Sequence, residues 1–164
     1  MNLLVVGCGR VGAELAYRLY RQGHQVTVID EVAAAFENLP PDFRGRTLTG
    51  DVMSQDVLRR AGIEQAQGVA AVTISDSVNA IVARIANEVF NVPNIVVRNY
   101  DPHERPLLEA FGLQIISPSS WGAQRMAEMV AGLAIRTVFS AGNGEVEVYE
   151  LAIPAAWTGR SLGE

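Results

Sequence analysis

The chain opens with MNLLVVGCGRVG, residues 1–12, and this stretch decides the fold. An apolar run leads directly into three glycines with the spacing G-x-G-x-x-G. A helical pattern follows over Arg10–Gln22, and a second apolar run, Gln25–Ile29, ends beside Asp30. This order of strand, glycine loop, helix, strand and acid is the fingerprint of a dinucleotide-binding βαβ unit.

Each part of the motif has its own physical task. Gly7 permits the tight turn out of the strand, Gly9 lets a pyrophosphate approach the backbone, and Gly12 lets the helix pack closely on the sheet. The helix N-terminus offers unpaired N–H groups and a positive dipole end to phosphates. Asp30 is placed to accept hydrogen bonds from both ribose hydroxyls and to repel a 2′-phosphate. The motif therefore favours NAD-type or plain adenosine nucleotides over NADP.

Composition narrows the possible classes of protein. With 164 residues, of which 49% are hydrophobic, we expect one compact domain with a short appendage. The net charge of −5 argues against nucleic acid as a partner. A single cysteine, no signal peptide and no apolar run of about 18–20 residues indicate a soluble cytoplasmic protein. All thirteen basic residues are arginine, which removes every mechanism that needs a lysine.

Strand and helix patterns alternate along the chain. The predicted strands are Asn2–Val6, Gln25–Ile29, Gly45–Leu48, Val69–Thr73, Asn94–Arg98 and Leu113–Ile116. The predicted helices are Arg10–Gln22, Val32–Asn38, Ser54–Ala61, Ser77–Phe90, His103–Phe111 and Ser119–Val138. Near-continuous apolar strands suit a parallel sheet that is covered on both faces. Six βα units in this order predict a doubly wound α/β fold of the Rossmann type.

The C-terminal quarter follows a different pattern. The predicted helix Ser119–Val138 is apolar around most of its circumference, so it either packs against a partner subunit or is an ordinary core helix. Residues 140–144 read as a linker, and Glu145–Ile153 alternates charged and apolar residues as a half-buried strand does. This strand is the start of a second domain or an edge completed by another chain. We therefore predict a domain over residues 1–139 and a linker with a short β segment over 140–164.

Several residues near the glycine loop are candidate ligand contacts. Arg10 is either a phosphate contact or a solvated first-turn arginine, and its position at the positive end of the helix favours the phosphate role. Cys8 is either a small structural residue or a thiol whose pKa falls near a helix N-terminus. Asp51 follows the third strand, where it would contact adenine or serve as a turn or capping acid.

Further candidates follow the fourth and fifth strands. We expect the hydroxyls of residues 73–77 and Asn79 to face the ligand crevice, although Ser75 or Asp76 would also cap the next helix. Arg98 closes a buried strand and needs an anionic partner, either a ligand phosphate or Asp101. His24 reads as a surface residue, and a single histidine beside two acids at residues 101–104 is poor evidence for a metal. We therefore predict no metal site.

Together these residues resemble the N-terminal domain of the Trk/Ktr potassium-uptake regulators, also called the RCK or KTN domain. The resemblance rests on GCGRVG (7–12), GHQVTVID (23–30), Gly50-Asp51, DVLRRAG (56–62), AVT (71–73) with Asp76 and Asn79, VR (97–98) with Asp101-Pro102, and ISP (116–118). It covers about residues 1–139. The tail from Glu145, with TGRSL at 158–162, resembles the first strand and loop of the family's C-terminal ligand-binding domain. Val52-Met53 departs from the commoner Ala-Thr after Gly-Asp, which leaves adenine recognition open.

The resemblance implies a function. Such domains lie on the cytoplasmic side of a membrane-embedded potassium channel or transporter, bind NAD(H) or an adenine nucleotide (ATP, ADP or AMP), and form homodimers and often rings. Nucleotide exchange then gates the membrane partner. By resemblance the phosphates belong to the glycine loop, the ribose to Asp30 and the adenine to Asp51, while Thr73 and Arg98 complete the crevice or contact a neighbouring subunit. The full predicted set of nucleotide-binding residues is Gly7, Cys8, Gly9, Arg10, Val11, Gly12, Asp30, Glu31, Asp51, Val52, Thr73, Ile74, Ser75, Asn79 and Arg98.

Two rival functions stay open at this point. An NAD-dependent oxidoreductase would use the same glycine loop, but it needs a substrate domain and an acid–base residue beside the nicotinamide. The chain offers no lysine, two poorly placed histidines and little room for such a domain. An assembly module would hold a nucleotide only as a structural part. We therefore expect a sensor rather than an enzyme.

Overall fold

A computed structural model describes residues 1–131, 135–141, 146–151, 153, 157 and 159. Six strands form one parallel sheet: β1 (Asn2–Val6), β2 (Gln25–Asp30), β3 (Arg46–Thr49), β4 (Gly68–Ala71), β5 (Ile95–Arg98) and β6 (Gln114–Ile116). The α-helices are α1 (Arg10–Arg21), α2 (Gln55–Ala61), α3 (Asp76–Arg84), α4 (Arg105–Ala110) and α5 (Pro118–Val130). The predicted doubly wound α/β fold is confirmed.

The strand order is β3-β2-β1-β4-β5-β6, so the chain runs outward from β1 in one direction and then from β4 in the other. Leu3 on β1 pairs with Val26 on β2 and with Gly68 on β4. The order therefore reverses between β1 and β4. In open sheets of this kind, ligands bind at that switch point, beyond the carboxyl ends of the strands.

Apolar side chains on both faces of β1 explain why this strand is central. Leu4 and Val6 belong to a core with Leu58 of α2, whereas Val5 belongs to a second core with Ala16 of α1. All five residues are at most 3% exposed. A strand buried on both faces reads as a continuous apolar run, which is the pattern that the sequence carries here.

Three predicted helices differ in type from a simple α-helix. The predicted helix Val32–Asn38 is a 3₁₀ helix over Ala33–Asn38. The helix after β4 continues from α3 into a π-helical turn at Ile85–Val89. The helix after β5 begins with a 3₁₀ turn at Pro102–Glu104, where Pro102 lacks the N–H that an inner helical position would use.

The predicted continuation of the last helix to Val138 is wrong. α5 ends at Val130, and Ile135–Ala141 forms a strand, β7, which pairs antiparallel with β8, Val146–Leu151. The strand also takes in the first two residues of the predicted linker. β-branched residues at 135, 137 and 138 favour a strand, and the pairing with β8 decides the outcome.

The chain divides into two compact units, Met1–Pro118 and Ser119–Glu164. The predicted domain boundary at residues 139 and 140 stays a prediction, although β7 crosses it. Parts of the predicted C-terminal features lie outside the described residues: residues 142–144 of the linker, Glu145 and Ala152 of the strand, and residues 158 and 160–162 of TGRSL. Within the described residues, no helix has the length and hydropathy of a membrane span.

α5 itself has no buried residue. Trp121, Met126 and Met129 are 63–69% exposed, and Val130 is 89% exposed. Within its own unit, Ser119–Glu164, α5 is therefore not a core helix. Packing of its apolar side chains against a partner subunit stays a prediction.

Candidate functional site

The carboxyl ends of four neighbouring strands bring the predicted site residues to one edge of the sheet. The loop after β1 holds residues 7–9, and the loop after β2 holds residues 30–32. The loops after β4 and β5 hold residues 73–75 and 99–101. These loops flank the switch point between β1 and β4, which is the expected position of a ligand in this architecture.

The three motif glycines have distinct roles in the glycine loop. Gly7 has φ +101°, and a Cβ there would lie 3.0 Å from the backbone nitrogen of Thr73. A Cβ on Gly12 would overlap the carbonyl oxygen of Gly7 and would lie 3.2 Å from Val72 Cγ2. At Gly9, by contrast, no atom lies within 4 Å of the Cβ position. Gly7 and Gly12 therefore serve the packing of the loop itself, whereas Gly9 leaves space beside the backbone.

The N-terminus of α1 lacks the capping side chain and the first-turn acid that commonly stabilise the start of a helix. Its N-cap is Gly9, no side chain caps its first N–H groups, and its first turn has no acid. Arg10 is exposed and forms no ion pair with any residue that the structure describes. The uncompensated N–H groups and the positive dipole end form a setting that suits an external anion.

Asp30 ties the glycine loop to the end of β2. Its Oδ2 accepts the backbone N–H of Cys8 at 2.7 Å, and its Oδ1 accepts the backbone N–H of Val32 at 2.9 Å. Each carboxylate oxygen keeps a further lone pair, so both can also accept a ligand hydroxyl. Glu31 is exposed beside it. The carboxylate predicted to bind ribose thus has a structural task as well.

Cys8 is completely buried under the glycine loop. Burial, with a smaller contribution from the Asp30 carboxylate, raises the pKa of its thiol to about 11. Of the two roles that the sequence left open for Cys8, that of a thiol whose pKa falls near the helix N-terminus is therefore wrong, because burial disfavours the charged thiolate. The carbonyl oxygen of Cys8 accepts a hydrogen bond from Asn38 Nδ2 at 3.0 Å. Cys8 fits the structural role of a small buried residue.

Asp51 makes a local turn after β3. Its Oδ1 accepts the backbone N–H of Met53 at 2.8 Å, while Ser54 is the N-cap of α2. Val52 is 3% exposed and belongs to the core. These contacts fit the turn-forming role of Asp51, and its contact with adenine stays a prediction.

Asn79 lies beneath the site rather than on its surface. It is completely buried, and its Oδ1 accepts the backbone N–H of Thr73 at 2.9 Å and the Thr73 hydroxyl at 2.7 Å. Its Nδ2 donates to the carbonyl oxygen of Arg98 at 3.0 Å. The expectation that Asn79 faces the crevice is wrong, because these bonds use its amide to join the ends of β4 and β5. Ser75 caps α3 through Val78, and Ile74 is 75% exposed.

Arg98 has no carboxylate partner among the described residues. Its guanidinium lies 5.0 Å from the ring centroid of Tyr100, and its Nε is buried without a hydrogen-bond partner. Asp101, the acid that the sequence offered as a partner, accepts instead from the backbone N–H of His103 at 2.9 Å and contacts its ring Nδ1 at 2.8 Å. These two bonds to His103 hold the pKa of Asp101 below its usual range. Of the two anionic partners that the sequence offered for Arg98, Asp101 is therefore wrong, and contact with a ligand phosphate stays a prediction.

Sequence reasoning missed the part that Asp76 plays. Its side chain is 6% exposed, and its carboxylate accepts the backbone N–H groups of Tyr100 at 2.6 Å and Asp101 at 2.7 Å. The sequence pattern predicts Asp76 as a helix-capping residue, and Asp76 is also one of the residues that carry the family resemblance. The available signal was its spacing of three residues from Asn79, which places both side chains on one face of α3.

The doubly wound sheet and the glycine loop at its switch point define the class: this is a Rossmann-like domain of the nucleotide-binding type. The family model of the TrkA-N domain matches residues 3–118. The chain belongs to the TrkA-N domain family.

Individual relatives agree with the family. The Trk system potassium uptake protein TrkA of Streptomyces coelicolor is 36% identical over 162 residues, which are 99% of this chain and 73% of that protein. Proteins of the same name from Vibrio alginolyticus and Azorhizobium caulinodans are 32% and 35% identical, over 60–62% of this chain but 21–22% of their own length. The chain thus spans most of one relative and about a fifth of the others.

Solved structures show the same fold. A structure of GsuK bound to ADP has a TM-score of 0.69 and 25% identity, covering 80% of this chain and 34% of that one. The GsuK channel bound to NAD has a TM-score of 0.68 and 25% identity, covering 79% of this chain and 23% of that one. Within the described residues, no group of three or more His, Cys, Asp or Glu side chains is placed to hold a metal ion.

Proposed function

We propose that this chain is a nucleotide-sensing regulatory domain of a potassium-transport system and binds NAD(H) or an adenine nucleotide at residues 7–12. The uncapped N-terminus of α1, with open space at Gly9, is the observation that carries the proposal. The names of its relatives, which are potassium uptake proteins, and the similar GsuK structures with ADP and NAD support it.

The site residues fit such a ligand. The free N–H groups at the start of α1 would donate hydrogen bonds to phosphate oxygens, with Arg10 as a charged contact. The second lone pairs of the Asp30 oxygens would accept ribose hydroxyls. Asp51 would border the adenine, and the part of the Arg98 guanidinium that is not buried would meet an anionic or carbonyl group of the ligand.

Regulation requires a partner and a second state. We place the domain in the cytoplasm, at the inner face of the membrane, against a potassium channel or transporter. The exposed apolar side chains of Trp121, Met126, Met129 and Val130 on α5 support a homodimer, and a ring is the larger assembly that we expect. Nucleotides of different phosphate number shift the arrangement only when they bind two conformations with different affinity.

We further propose a sensor rather than a dehydrogenase. The chain has no lysine, and His24 precedes β2, at the opposite edge of the sheet from the glycine loop. His103 is 94% exposed in its side chain and is paired with Asp101. Turnover of an alcohol or carbonyl substrate with NAD(H) by the purified chain would favour the oxidoreductase alternative.

Thermal unfolding with NAD, NADH, ATP, ADP and AMP tests the binding step. A ligand at about 100 times its Kd adds about 2.7 kcal/mol, which raises Tm by roughly 5–10 °C for a chain of this size. A Tm that none of the five ligands changes would contradict nucleotide binding.

The regulatory step needs the membrane partner. The complex with a Trk-type transporter, reconstituted in vesicles, should change its potassium flux when one bound nucleotide is exchanged for another. Flux that is equal with every nucleotide and without any would support the assembly module, in which the nucleotide is only structural.

A further inference from the structure

The buried polar side chains among the described residues lie in one place. They are Asp76 and Asn79 on the first turn of α3, Asn99 after β5, and Ser117 after β6. Elsewhere the described core is apolar. Since buried polar groups are costly unless they are bonded, such a cluster fixes one arrangement of the loops that it joins.

Asp76 and Asn79 together hold every residue from Arg98 to Asp101. Asn79 donates to the carbonyl oxygen of Arg98, and Asp76 accepts from Asn99 Nδ2 at 3.4 Å. The Asp76 carboxylate also accepts the backbone N–H groups of Tyr100 and Asp101. The loop after β5 is thus bound to the first turn of α3 along its length.

Arg98, at the start of this loop, has a side-chain N–H group without a hydrogen-bond acceptor. The Arg98 guanidinium lies over the Tyr100 ring, which is 49% exposed in the residue as a whole, while Arg98 Nε is buried and unpartnered. A buried donor without an acceptor is rare in folded proteins, and Asn99 Oδ1 in the same loop is likewise buried without a hydrogen-bond partner. Arg98 as a residue is partly exposed, so a ligand would contact the rest of its guanidinium rather than Nε. The position of the Tyr100 ring depends on its backbone, and Asp76 fixes that backbone.

We propose that Asp76 is a positioning residue for nucleotide recognition, which acts through Tyr100 to hold Arg98 against the part of the ligand beyond its first phosphate. This inference rests on the proposed function. β5 lies two strands from β1, on the side away from β2 and Asp30, a distance of about 10 Å at the usual strand spacing. A ligand whose ribose lies at Asp30 and whose first phosphate lies at the glycine loop therefore extends toward Arg98 only if it is longer than AMP.

The test compares the affinities of the 164-residue chain for NAD and for AMP by calorimetry. Asp76→Asn keeps the shape of the side chain but turns one acceptor into a donor that faces a backbone N–H. We expect Asp76→Asn and Arg98→Gln each to weaken NAD binding about tenfold and AMP binding less than about twofold. The double variant should bind NAD no more weakly than Arg98→Gln alone, because the two residues act in one chain of contacts.

Two further variants keep the test decisive. Tyr100→Ala removes the exposed ring without touching the buried carboxylate, and it should reproduce the selective loss of NAD affinity if Asp76→Asn does not fold. Asp56→Asn removes a first-turn acid from α2, where the side chain is 89% exposed, and should change neither affinity.

The outcomes separate the inference from the proposed function. Equal losses of NAD and AMP affinity, or additive losses in the double variant, would mean that Asp76 only stabilises the fold. An unchanged NAD affinity in Arg98→Gln would overturn the inference while nucleotide binding itself stands. A parent chain that binds neither ligand would overturn both.

Discussion

Two helix N-termini flank the switch point of the sheet, and they differ in how their first N–H groups are capped. α3 begins after Ser75, whose hydroxyl oxygen accepts the N–H of Val78, and it carries Asp76 in its first turn. α1 begins after Gly9, with no side-chain cap, no acid in the first turn and a cation, Arg10, as its first residue. Both helices present the same positive dipole end to the same edge of the sheet.

The difference separates a first turn that is bonded within the protein from one whose N–H groups have no capping side chain. With glycine as the N-cap in place of a serine or an aspartate, the missing cap costs a few tenths of a kcal/mol, and a cation at a helix N-terminus adds a few tenths more. α3 avoids both costs and uses its first turn to join two loops. α1 carries both costs, and it begins at the glycine loop, where Gly9 leaves space beside the backbone. Proteins break such local rules mainly at functional sites.

The largest effect is expected from giving α1 an acidic N-cap in place of Gly9. Gly9→Asp places a cap on α1, and its side chain meets no atom of the protein within 4 Å of the Cβ. The unfolding free energy should rise by a few tenths of a kcal/mol. ADP affinity should fall about 1,000-fold, or about 4 kcal/mol, because about two charge-assisted hydrogen bonds are lost.

The matched control adds the same charge at the opposite edge of the sheet. Gln65→Glu, in the 3₁₀ turn that follows α2, should leave calorimetric ADP affinity unchanged. A Gly9→Asp chain that binds ADP as tightly as its parent would mean that phosphates do not lie at the start of α1, and the contrast between the two helices would lose its functional meaning.

The pH dependence of stability tests whether the Cys8 thiol is buried beneath the glycine loop. Burial raises the pKa of the Cys8 thiol in the folded chain to about 11, above the 9.0 of an exposed thiol, so the folded state keeps its proton where the unfolded state loses it. Stability from this group is complete below pH 9 and is lost as pH rises toward 11, by about 1.4 kcal/mol per unit and about 2–3 kcal/mol in total. Urea titrations from pH 8 to 11 should show this loss in the parent chain and not in Cys8→Ala. Parallel curves for the two proteins would contradict the burial of the thiol.

Asp30 should affect both stability and binding. Asp30→Ala leaves the N–H groups of Cys8 and Val32 without acceptors, and we expect about 1–3 kcal/mol of lost adenine-nucleotide affinity with a comparable loss of unfolding free energy. Calorimetry and urea unfolding separate the two effects. Asp42→Ala, which removes an exposed acid that contacts Tyr17 and Arg21, serves as the control for affinity. Equal affinity in Asp30→Ala would argue against ribose recognition by Asp30.

The two helices also show which features of the site could be predicted from the sequence and which could not. The loop of α1 could be predicted because glycines at fixed spacing, a preceding apolar run and a following acid are all local signals. The roles of Asn79 and Asp76 could not, because they depend on bonds to residues 19–25 positions away in the chain. Their sequence pattern is equally that of a capped helix.

The prediction of where α5 ends was wrong for a related reason. Apolar residues continue past Val130 at spacings that fit a helix, and the competing strand at Ile135–Ala141 depends on its pairing with Val146–Leu151. Local propensity at residues 135–138 was the only sequence signal for that strand. Tertiary pairing overrides helical periodicity in such segments.

The smallest effect concerns the cap of α3, where the hydroxyl of Ser75 has a direct counterpart at Ser54 of α2. Both hydroxyl oxygens accept a backbone N–H, from Val78 at 3.4 Å and from Val57 at 3.5 Å. Ser75→Ala and Ser54→Ala should each lower the unfolding free energy by about 1 kcal/mol in urea titrations. Because the Ser75 hydroxyl is engaged by its own helix, we expect ADP affinity to change less than about threefold in either variant. A larger loss of affinity in Ser75→Ala alone would show that the start of α3 also contacts the ligand. The two helices would then differ in the capping of their backbone N–H groups, but not in whether their first side chains contact the ligand.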